Sequence, residues 1–157
     1  IIILKEKLLL SGGGFLKKLL KYLFQYLLLF GVGGCAYYYI EVIIRGWSHF
    51  SMFYLGGLCF CFFSVQKKFT WWNQSLKNQV IRCLLFLLSG EFITGCMVNL
   101  WKGWNVWDYS EVPFNLYGQI CAPMALIFGV LCCIALFLED WIQIYAFGAD
   151  TDKIRHE

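Results

Sequence analysis

Charged residues are scarce in this sequence, at 15% of its 157 residues, whereas hydrophobic residues make up 60%. A soluble domain of this size carries about 25% charged and about 45–50% apolar residues, so the composition excludes an ordinary soluble protein. The few charges lie between long apolar runs. Three of these runs, 22–40, 46–66 and 112–138, contain no charged residue, and a fourth, 83–101, contains only Glu91.

Each run is long enough, as a helix rising about 1.5 Å per residue, to cross about 30 Å of hydrocarbon. The sequence therefore predicts an all-α polytopic membrane protein, a four-transmembrane-helix bundle with an N-terminal interfacial segment. The predicted spans are about 20–44, 48–66, 79–100 and 117–138. The predicted division is an interfacial or uncertain segment 1–19, a transmembrane domain 20–143 and a cytoplasmic tail 144–157. The Ser-Gly-Gly-Gly stretch from Ser11 is typical of a flexible joint.

Motifs for catalysis, metal binding and nucleic-acid recognition are missing. The basic residues form no stripe or arm, which argues against a nucleic-acid partner. No Ser/Cys–His arrangement, no metal-ligand cluster and no phosphate-binding Gly-rich loop with Lys and Ser/Thr is found. We therefore expect no cofactor and no metal, and we lean against an enzyme. The eight cysteines lie inside predicted spans or at their ends, where free cysteine packs as a small hydrophobe.

Basic residues are distributed unevenly between the two sides of the predicted bundle. Eleven belong to the N-terminal flank, the middle loop with its borders, or the tail, whereas the other two loops carry only Arg45 and Lys102. The positive-inside rule then places both termini and the middle loop in the cytoplasm. Tryptophans support the same borders, because Trp71, Trp72 and Trp141 lie at inner ends and the other four lie at outer ends. The predicted localisation is the cell membrane, with multiple passes.

Glu91 is the one charge inside the four long apolar runs, and an ionisable residue at membrane depth is a functional-site candidate by default. Glu91, Gly95 and Asn99 follow at i, i+4 and i+8 and so share one helix face. We expect Glu91 to face the bundle interior. There it would meet Arg45, or the pair of Glu41 and Arg45, at the floor of an outward-facing pocket.

Polar residues recur at similar depth in two other elements. Near the end of span 1, Glu41 and Arg45 are four residues apart, a spacing at which a glutamate and a following basic residue attract each other on a helix. Asn115 is expected to cap span 4, and Pro123 to free the carbonyl of Gln119. The predicted polar pocket contains Glu41, Arg45, His49, Glu91, Asn99, Asp108, Tyr109, Asn115 and Gln119. The alternative is a buried polar network that only specifies packing.

Three stretches carry a resemblance to a known family: "GCAYYYIEVIIRGWSHFSMFYLGGLCF", "GEFITGCMVN" and "NVWDYSEVPFNLYGQIC". Together they resemble the small bacterial polytopic membrane proteins named putative ABC-transporter permease, type IV, over about 34–143. The resemblance implies a membrane component of a transporter. The motif positions that it covers are Glu41, Arg45, Gly46, His49, Glu91, Gly95, Asn99, Trp107, Asp108, Tyr109, Pro113, Asn115, Gly118 and Gln119.

Three functions remain open at this point. The first is a small transporter component with an outward-facing intramembrane polar site, which would need a separate ATPase if ATP drives transport. The second is a structural or regulatory membrane subunit that binds a larger membrane complex. The third is an intramembrane lipid-acting enzyme in which Glu41, His49 and Glu91 supply acid–base chemistry. The expected partners are the lipid bilayer, an ATPase or a larger membrane protein, and a second copy of the chain.

Overall fold

A computed structural model describes residues 2–69 and 75–148, with side chains from residue 14 onward. Within these residues it contains four α-helices and a two-stranded hairpin. The helices are α1 Ile2–Arg45, α2 Phe50–Gln66, α3 Leu76–Gly95 with a π-helical continuation Cys96–Trp101, and α4 Ala122–Phe147. Trp71, Trp72 and the tail beyond 148, for which the sequence makes predictions, lie outside the described residues.

The helices have the length and composition of membrane-spanning segments. Within the described residues, Gly14–Arg45, Leu76–Trp101 and Ala122–Phe147 are long and apolar enough to cross a membrane. α2 is apolar but shorter, with 17 residues. At about 1.5 Å per residue it reaches about 26 Å, close to the hydrocarbon thickness. The predicted all-α polytopic class is confirmed, while the count of four spans stays a prediction.

The helices alternate in direction, which gives the bundle two distinct ends. The loop end is formed by residues 46–49 and 102–121, where α1 and α3 finish and α2 and α4 begin. The tail end is formed by residues 67–69 and the end of α4 at Phe147. Most polar groups discussed below belong to one end or the other, whereas Glu91 and Tyr37 lie deeper in the bundle.

Two glycines bring α1 and α2 into backbone contact. A Cβ atom on Gly33 would lie 2.6 Å from the Gly56 carbonyl oxygen, and a Cβ on Gly56 would lie 2.5 Å from the Gly33 carbonyl oxygen. A side chain at either position would therefore push the helices apart. Close approach through small residues is how helices pack in lipid, where hydrophobic burial supplies little driving force.

The apolar core joins all four helices through buried side chains, and α4 packs against α2 and α3. The core includes Leu29, Met52, Phe60, Phe63, Cys83, Leu87, Cys132 and Leu136. All eight cysteines are free thiols in this structure. α1 and α4 lie on either side of a cavity instead of packing along their whole length.

The predicted start of span 4 near residue 117 is wrong. A hairpin occupies this region, with β1 Asn115–Leu116 paired to β2 Ile120–Cys121, and α4 begins only at Ala122. The chain reverses at Tyr117 and Gly118, whose φ angles of 50° and 67° are incompatible with a right-handed helix. Apolar composition alone could not reveal this reversal.

Pro123 therefore has a different role from the one predicted. It lies in the first turn of α4, where the missing N–H group would have no intrahelical partner in any case. It does not free the carbonyl of Gln119, because that residue precedes the helix. Asn115 does not cap α4 either, since the helix N-cap is Cys121.

α1 continues without a break through Ser11–Gly14, where the sequence predicts a flexible joint. A glycine costs a helix only about 1 kcal/mol relative to alanine, so leucines and lysines on both sides can keep the helix intact. The division of the chain at residue 19 stays a prediction. At the other terminus α4 continues to Phe147, beyond the predicted end of span 4 near residue 138, and ends at Gly148 with φ 64°.

Candidate functional site

Asn99 organises the loop end from within the π-helical turn of α3. Its side-chain nitrogen donates to the Trp107 carbonyl at 2.9 Å and to Gln119 Oε1 at 2.8 Å. Its side-chain oxygen accepts from the Val106 backbone N–H at 2.7 Å. All three bonds are buried, so one amide holds two parts of the connecting loop, Val106–Trp107 and Gln119, against the end of α3.

Gln119 and Trp107 close this network from the other side. Trp107 Nε1 donates to the Gln119 carbonyl at 2.9 Å, so the carbonyl that the sequence predicts to be free is occupied. Gly95 leaves the space for this contact, since a Cβ there would lie 2.5 Å from Gln119 Oε1. Among the described residues the polar groups of this network form hydrogen bonds with one another, which indicates a structural role.

Asp108 and Asn115 stabilise the loop itself. Asp108 Oδ1 accepts from the Ser110 hydroxyl at 2.6 Å and from its backbone N–H at 2.8 Å. These bonds favour the carboxylate and lower the pKa of Asp108. Asn115 donates to the carbonyls of Ser110 and Val112 and accepts from the Gly118 N–H.

Arg45 and Glu41 form an ion pair at the end of α1. Arg45 Nη1 lies 3.0 Å from Glu41 Oε1, and Arg45 Nη2 donates to the Val106 carbonyl. Glu41 Oε2 accepts from the Ser48 hydroxyl at 2.6 Å. His49 is the N-cap of α2 and accepts from the Ser51 backbone N–H at 3.2 Å. The contact between Arg45 and Glu41 is the favourable i, i+4 pair that the sequence predicts.

Glu91 faces the bundle interior with only 2% of its surface exposed, as the sequence predicts. Arg45 does not form its ion pair with Glu91, because the guanidinium binds Glu41 and the 102–121 loop instead. Glu91 Oε2 is buried without a hydrogen-bond partner among the described residues. Glu41 and Arg45 are nevertheless close enough for their charges to act on Glu91.

A cavity of about 160 Å³ lies between α1, α2 and α4. Its surface is almost entirely apolar, and Glu41, Arg45 and Tyr109 line it at the loop end. Tyr37 also lines it, and the Tyr37 hydroxyl is buried without a hydrogen-bond partner in the described part of the chain.

The nine predicted pocket residues thus divide into three groups. Glu41, Arg45 and Tyr109 line the cavity, and Glu91 is buried within electrostatic reach of the first two. Asn99 and Gln119 belong to the separate buried network. The other three, His49, Asp108 and Asn115, make local contacts within the loops.

A family model described as "Putative ABC-transporter type IV" matches residues 15–150, which is most of the chain. The chain belongs to this family. No curated protein and no solved structure matches it. Together with the apolar helices, membership of the ABC-transporter type IV family makes the chain a transporter-related membrane component.

This ABC-transporter type IV chain has a second polar group that the sequence reasoning missed. The tail-end cluster consists of Gln25, Ser64, Lys67, Glu139, Asp140 and Gln143. Lys67 Nζ lies 2.7 Å from Glu139 Oε2 and also contacts Asp140 Oδ1. Gln143 then joins the cluster by donating to Glu139 Oε1 at 2.7 Å and to the Ser64 hydroxyl at 3.0 Å.

The tail-end cluster ties three helices of this family member together. Gln25 of α1 donates to Gln143 of α4 at 2.6 Å, while Lys67 joins the end of α2 to α4. Glu139 is only 1% exposed. The signal available in the sequence was the adjacent acidic pair directly after a 27-residue charge-free run, together with Gln25 inside another such run. From the sequence alone, Lys67 indicates only the orientation of the bundle.

Proposed function

We propose that this chain is the membrane-spanning component of a transporter that works with a separate ATPase. In this proposal the loop end faces outward, the tail end faces the cytoplasm, and the transported group interacts with the loop end of the cavity. Family membership supports the transport role. The uneven distribution of basic residues supports the orientation.

Glu91 is the observation that carries this proposal. A buried carboxylate is costly unless it is paired and hydrogen-bonded, and one oxygen of Glu91 has no partner among the described residues. Membrane proteins retain such groups mainly where a proton, an ion or a substrate binds. Glu91 is accordingly the candidate for taking up a proton or a cationic group during transport.

The neighbours of Glu91 fit this role. Two carboxylates, Glu41 and Glu91, lie within electrostatic reach of one guanidinium, that of Arg45. Because Arg45 already pairs with Glu41, ionisation of Glu91 would leave one excess negative charge on the three groups. A proton or a cation at Glu91 neutralises that excess. The Glu41–Arg45 pair in turn links this charge to the 102–121 loop through Val106.

A structural or regulatory subunit is the second candidate. The self-contained hydrogen bonds around Asn99 and the tail-end cluster favour it, because both groups of residues serve packing without any ligand. In that case Glu91 would be dispensable for the function of the larger complex. The lipid-acting enzyme is less well supported, since the His49 ring is engaged in capping α2.

The proposed orientation can be tested with single cysteines at Ser75 and Glu111, in a background whose native cysteines are replaced. We expect a membrane-impermeant maleimide added to intact cells to label position 111 and not position 75, because basic residues flank position 75. Position 75 should react only after permeabilisation. Labelling of position 75 in intact cells would reverse the orientation.

The proposed role of Glu91 can be tested with Glu91→Gln in the complex purified with its native partners. We expect an ATP-binding subunit among these partners, and about a tenfold or larger loss of substrate-coupled ATPase rate in the variant. A lost charged hydrogen bond of about 1.5–3 kcal/mol corresponds to that factor. The thermal unfolding midpoint should stay close to the wild-type value, because no ion pair to Glu91 is broken.

Glu111→Gln is the matched control, because Glu111 is an exposed glutamate at the same end of the bundle. It should leave the ATPase rate unchanged. Co-purification of a larger membrane complex without an ATPase, combined with full function of Glu91→Gln, would replace the transport proposal by the structural-subunit alternative.

A further inference from the structure

Tyr37 of α1 and Glu91 of α3 share one feature: each ends in a buried oxygen without a hydrogen-bond partner. The atoms are the Tyr37 hydroxyl oxygen and Glu91 Oε2, and neither forms a hydrogen bond within the described part of the chain. A buried polar group without a partner is costly, so its presence in a folded protein indicates a function.

α2 holds these two residues at the same level of the bundle. A Cβ atom on Gly56 would lie 2.5 Å from the Tyr37 Cβ, so α1 and α2 touch there. A Cβ atom on Gly90 would lie 2.5 Å from Leu55 Cδ1, so α2 and α3 touch at the adjacent residue of α2. Because Gly90 directly precedes Glu91, the two unpartnered side chains belong to helices that contact the same turn of α2.

Tyr37 and Glu91 also lie within electrostatic reach of each other. Of the charges that act on the Tyr37 hydroxyl, that of Glu91 is the strongest. Tyr37 lines the cavity, but its hydroxyl oxygen is buried and so ends inside the protein, as the Glu91 carboxyl group does. The Glu91 side chain is flexible enough for a change of rotamer to bring its carboxyl group to this hydroxyl.

The charged groups nearest to Glu91 are already engaged with other partners. Both oxygens of Glu41 are bonded, one to Arg45 and the other to the Ser48 hydroxyl. Both terminal nitrogens of Arg45 are bonded as well, to Glu41 and to the Val106 carbonyl. Neither residue can therefore bond to Glu91 without giving up a contact that it already makes.

Two further titratable groups face Glu91, Cys59 from α2 and Tyr109 from the 102–121 loop. A thiol is only a weak hydrogen-bond donor, which makes Cys59 a poor partner. Tyr109 lines the loop end of the cavity, and its hydroxyl is not one of the buried groups without a partner. The charged residues of α4, Glu139 and Asp140, belong to the tail-end cluster. The buried tyrosine hydroxyl of α1 is the donor that remains.

We propose that Glu91 and Tyr37 form a proton-binding pair, in which the tyrosine hydroxyl bonds to the carboxyl group in both of its protonation states. When Glu91 is ionised, Tyr37 donates to the carboxylate. When Glu91 carries the proton, the carboxyl O–H donates to the tyrosine oxygen, which also accepts hydrogen bonds. Glu91 alone gains and loses the proton, and Tyr37 stays protonated. The use of this proton in transport rests on the proposed function, whereas the pairing does not.

The surroundings of Glu91 favour a proton over a larger cation. Hard metal cations take about six oxygen ligands or more, and the pair offers two unpartnered oxygens. In the residues that the structure describes, no group of three or more His, Cys, Asp or Glu side chains is arranged to hold a metal ion. An amine-bearing group would have to reach a side chain that is 2% exposed. A proton needs neither additional ligands nor additional space.

The test is an infrared titration of the purified chain in lipid nanodiscs. The band of the protonated Glu91 carboxyl group is identified by its absence in Glu91→Gln. Tyr37→Phe removes the proposed donor, and a hydrogen bond to a charged group is about twice as strong as a neutral one, so the ionised state loses more. We expect the pH at which half of Glu91 is protonated to rise by about one unit, which is about a tenfold increase in proton affinity.

Controls separate this hydroxyl from the other candidates. Tyr38→Phe removes a hydroxyl from the next residue of α1, whose side chain points in another direction around the helix, and should leave the midpoint unchanged. Tyr109→Phe tests the alternative donor and should have little effect. Replacing choline chloride by sodium chloride at the same concentration should not change the midpoint either. Tyr37→Phe should fold like the wild type, because the hydroxyl that it removes has no hydrogen bond within the described residues.

Four results would overturn the proposal: no protonated Glu91 band at any pH, an unchanged midpoint in Tyr37→Phe, a shift in Tyr109→Phe in its place, or a midpoint that sodium lowers. A raised midpoint in Tyr37→Phe, together with full ATPase coupling in Glu91→Gln, would support the pair and reject the transport role of Glu91. Lost ATPase coupling in Glu91→Gln, together with an unchanged midpoint in Tyr37→Phe, would reject the pair alone.

Discussion

Replacing Lys67 by methionine is expected to destabilise the protein by about 3–5 kcal/mol, the usual cost of removing one partner from a buried ion pair. Lys67 contacts both Glu139, which is 1% exposed, and Asp140, which is 7% exposed. Without the ammonium, two adjacent carboxylates remain buried at the tail end. The unfolding free energy in mild detergent, measured by chemical denaturation, checks this expectation.

Lys68→Met is the matched control for this prediction. Lys68 is the next residue, and its contacts are an exposed hydrogen bond to the Tyr26 hydroxyl and the rings of Tyr22 and Tyr26. Exposed interactions of this kind contribute about 0–1 kcal/mol. In addition, Glu139→Gln should recover part of the stability lost in Lys67→Met, since it removes one of the two charges. Equal effects of the two lysine substitutions would show that the tail-end cluster contributes no special stability.

Replacing Asn99 by leucine should also destabilise the protein by about 3–5 kcal/mol. The substitution leaves three buried groups without their partner: the Val106 N–H, the Trp107 carbonyl and the Gln119 side-chain oxygen. Each unsatisfied buried group costs about 1–3 kcal/mol, and the costs are not fully additive. The loop end should loosen, which amide hydrogen exchange at Val106 would detect as faster exchange.

Asn115→Leu provides an unusually close control. Asn115 also donates two side-chain hydrogen bonds and accepts one, but its partners lie in the exposed or partly buried loop. Water can replace those bonds, so we expect a loss of only about 1 kcal/mol. If Asn99→Leu were no more destabilising than Asn115→Leu, the buried network would not be what fixes the loop on α3.

The polar pocket was only partly predictable from the sequence. The i, i+4, i+8 spacing placed Glu91, Gly95 and Asn99 on one face, and all three are buried. The spacing could not show that all the side-chain hydrogen bonds of Asn99 would be made with the loop. The reason is that its partners at Val106 and Trp107 depend on how the loop folds back over the end of α3. Glu91 lies deeper than that loop reaches, so its oxygen remains without a partner among the described residues.

The tail-end cluster was invisible to the same reasoning for a related physical reason. Lys67 and Glu139 are 72 residues apart, and their approach is set by how α2 packs against α4. A basic residue after an apolar run indicates only the membrane–water interface. No local sequence pattern reveals that a carboxylate on another helix will contact it. The hairpin before α4 was missed because its turn depends on backbone conformations at Tyr117 and Gly118 that composition does not record.

Composition and hydrophobic run length by themselves determined that this chain is a helical membrane protein, because backbone polar groups in lipid must be satisfied within each segment. The residue spacing also determined which face Glu91 shares with Gly95 and Asn99. Only the tertiary structure decided which charges meet, which carboxylate oxygen lacks a partner among the described residues, and where a cavity remains between α1 and α4. These features depend on the distances between helices. Glycine contacts and loop lengths set those distances, and they connect segments that are far apart in the sequence.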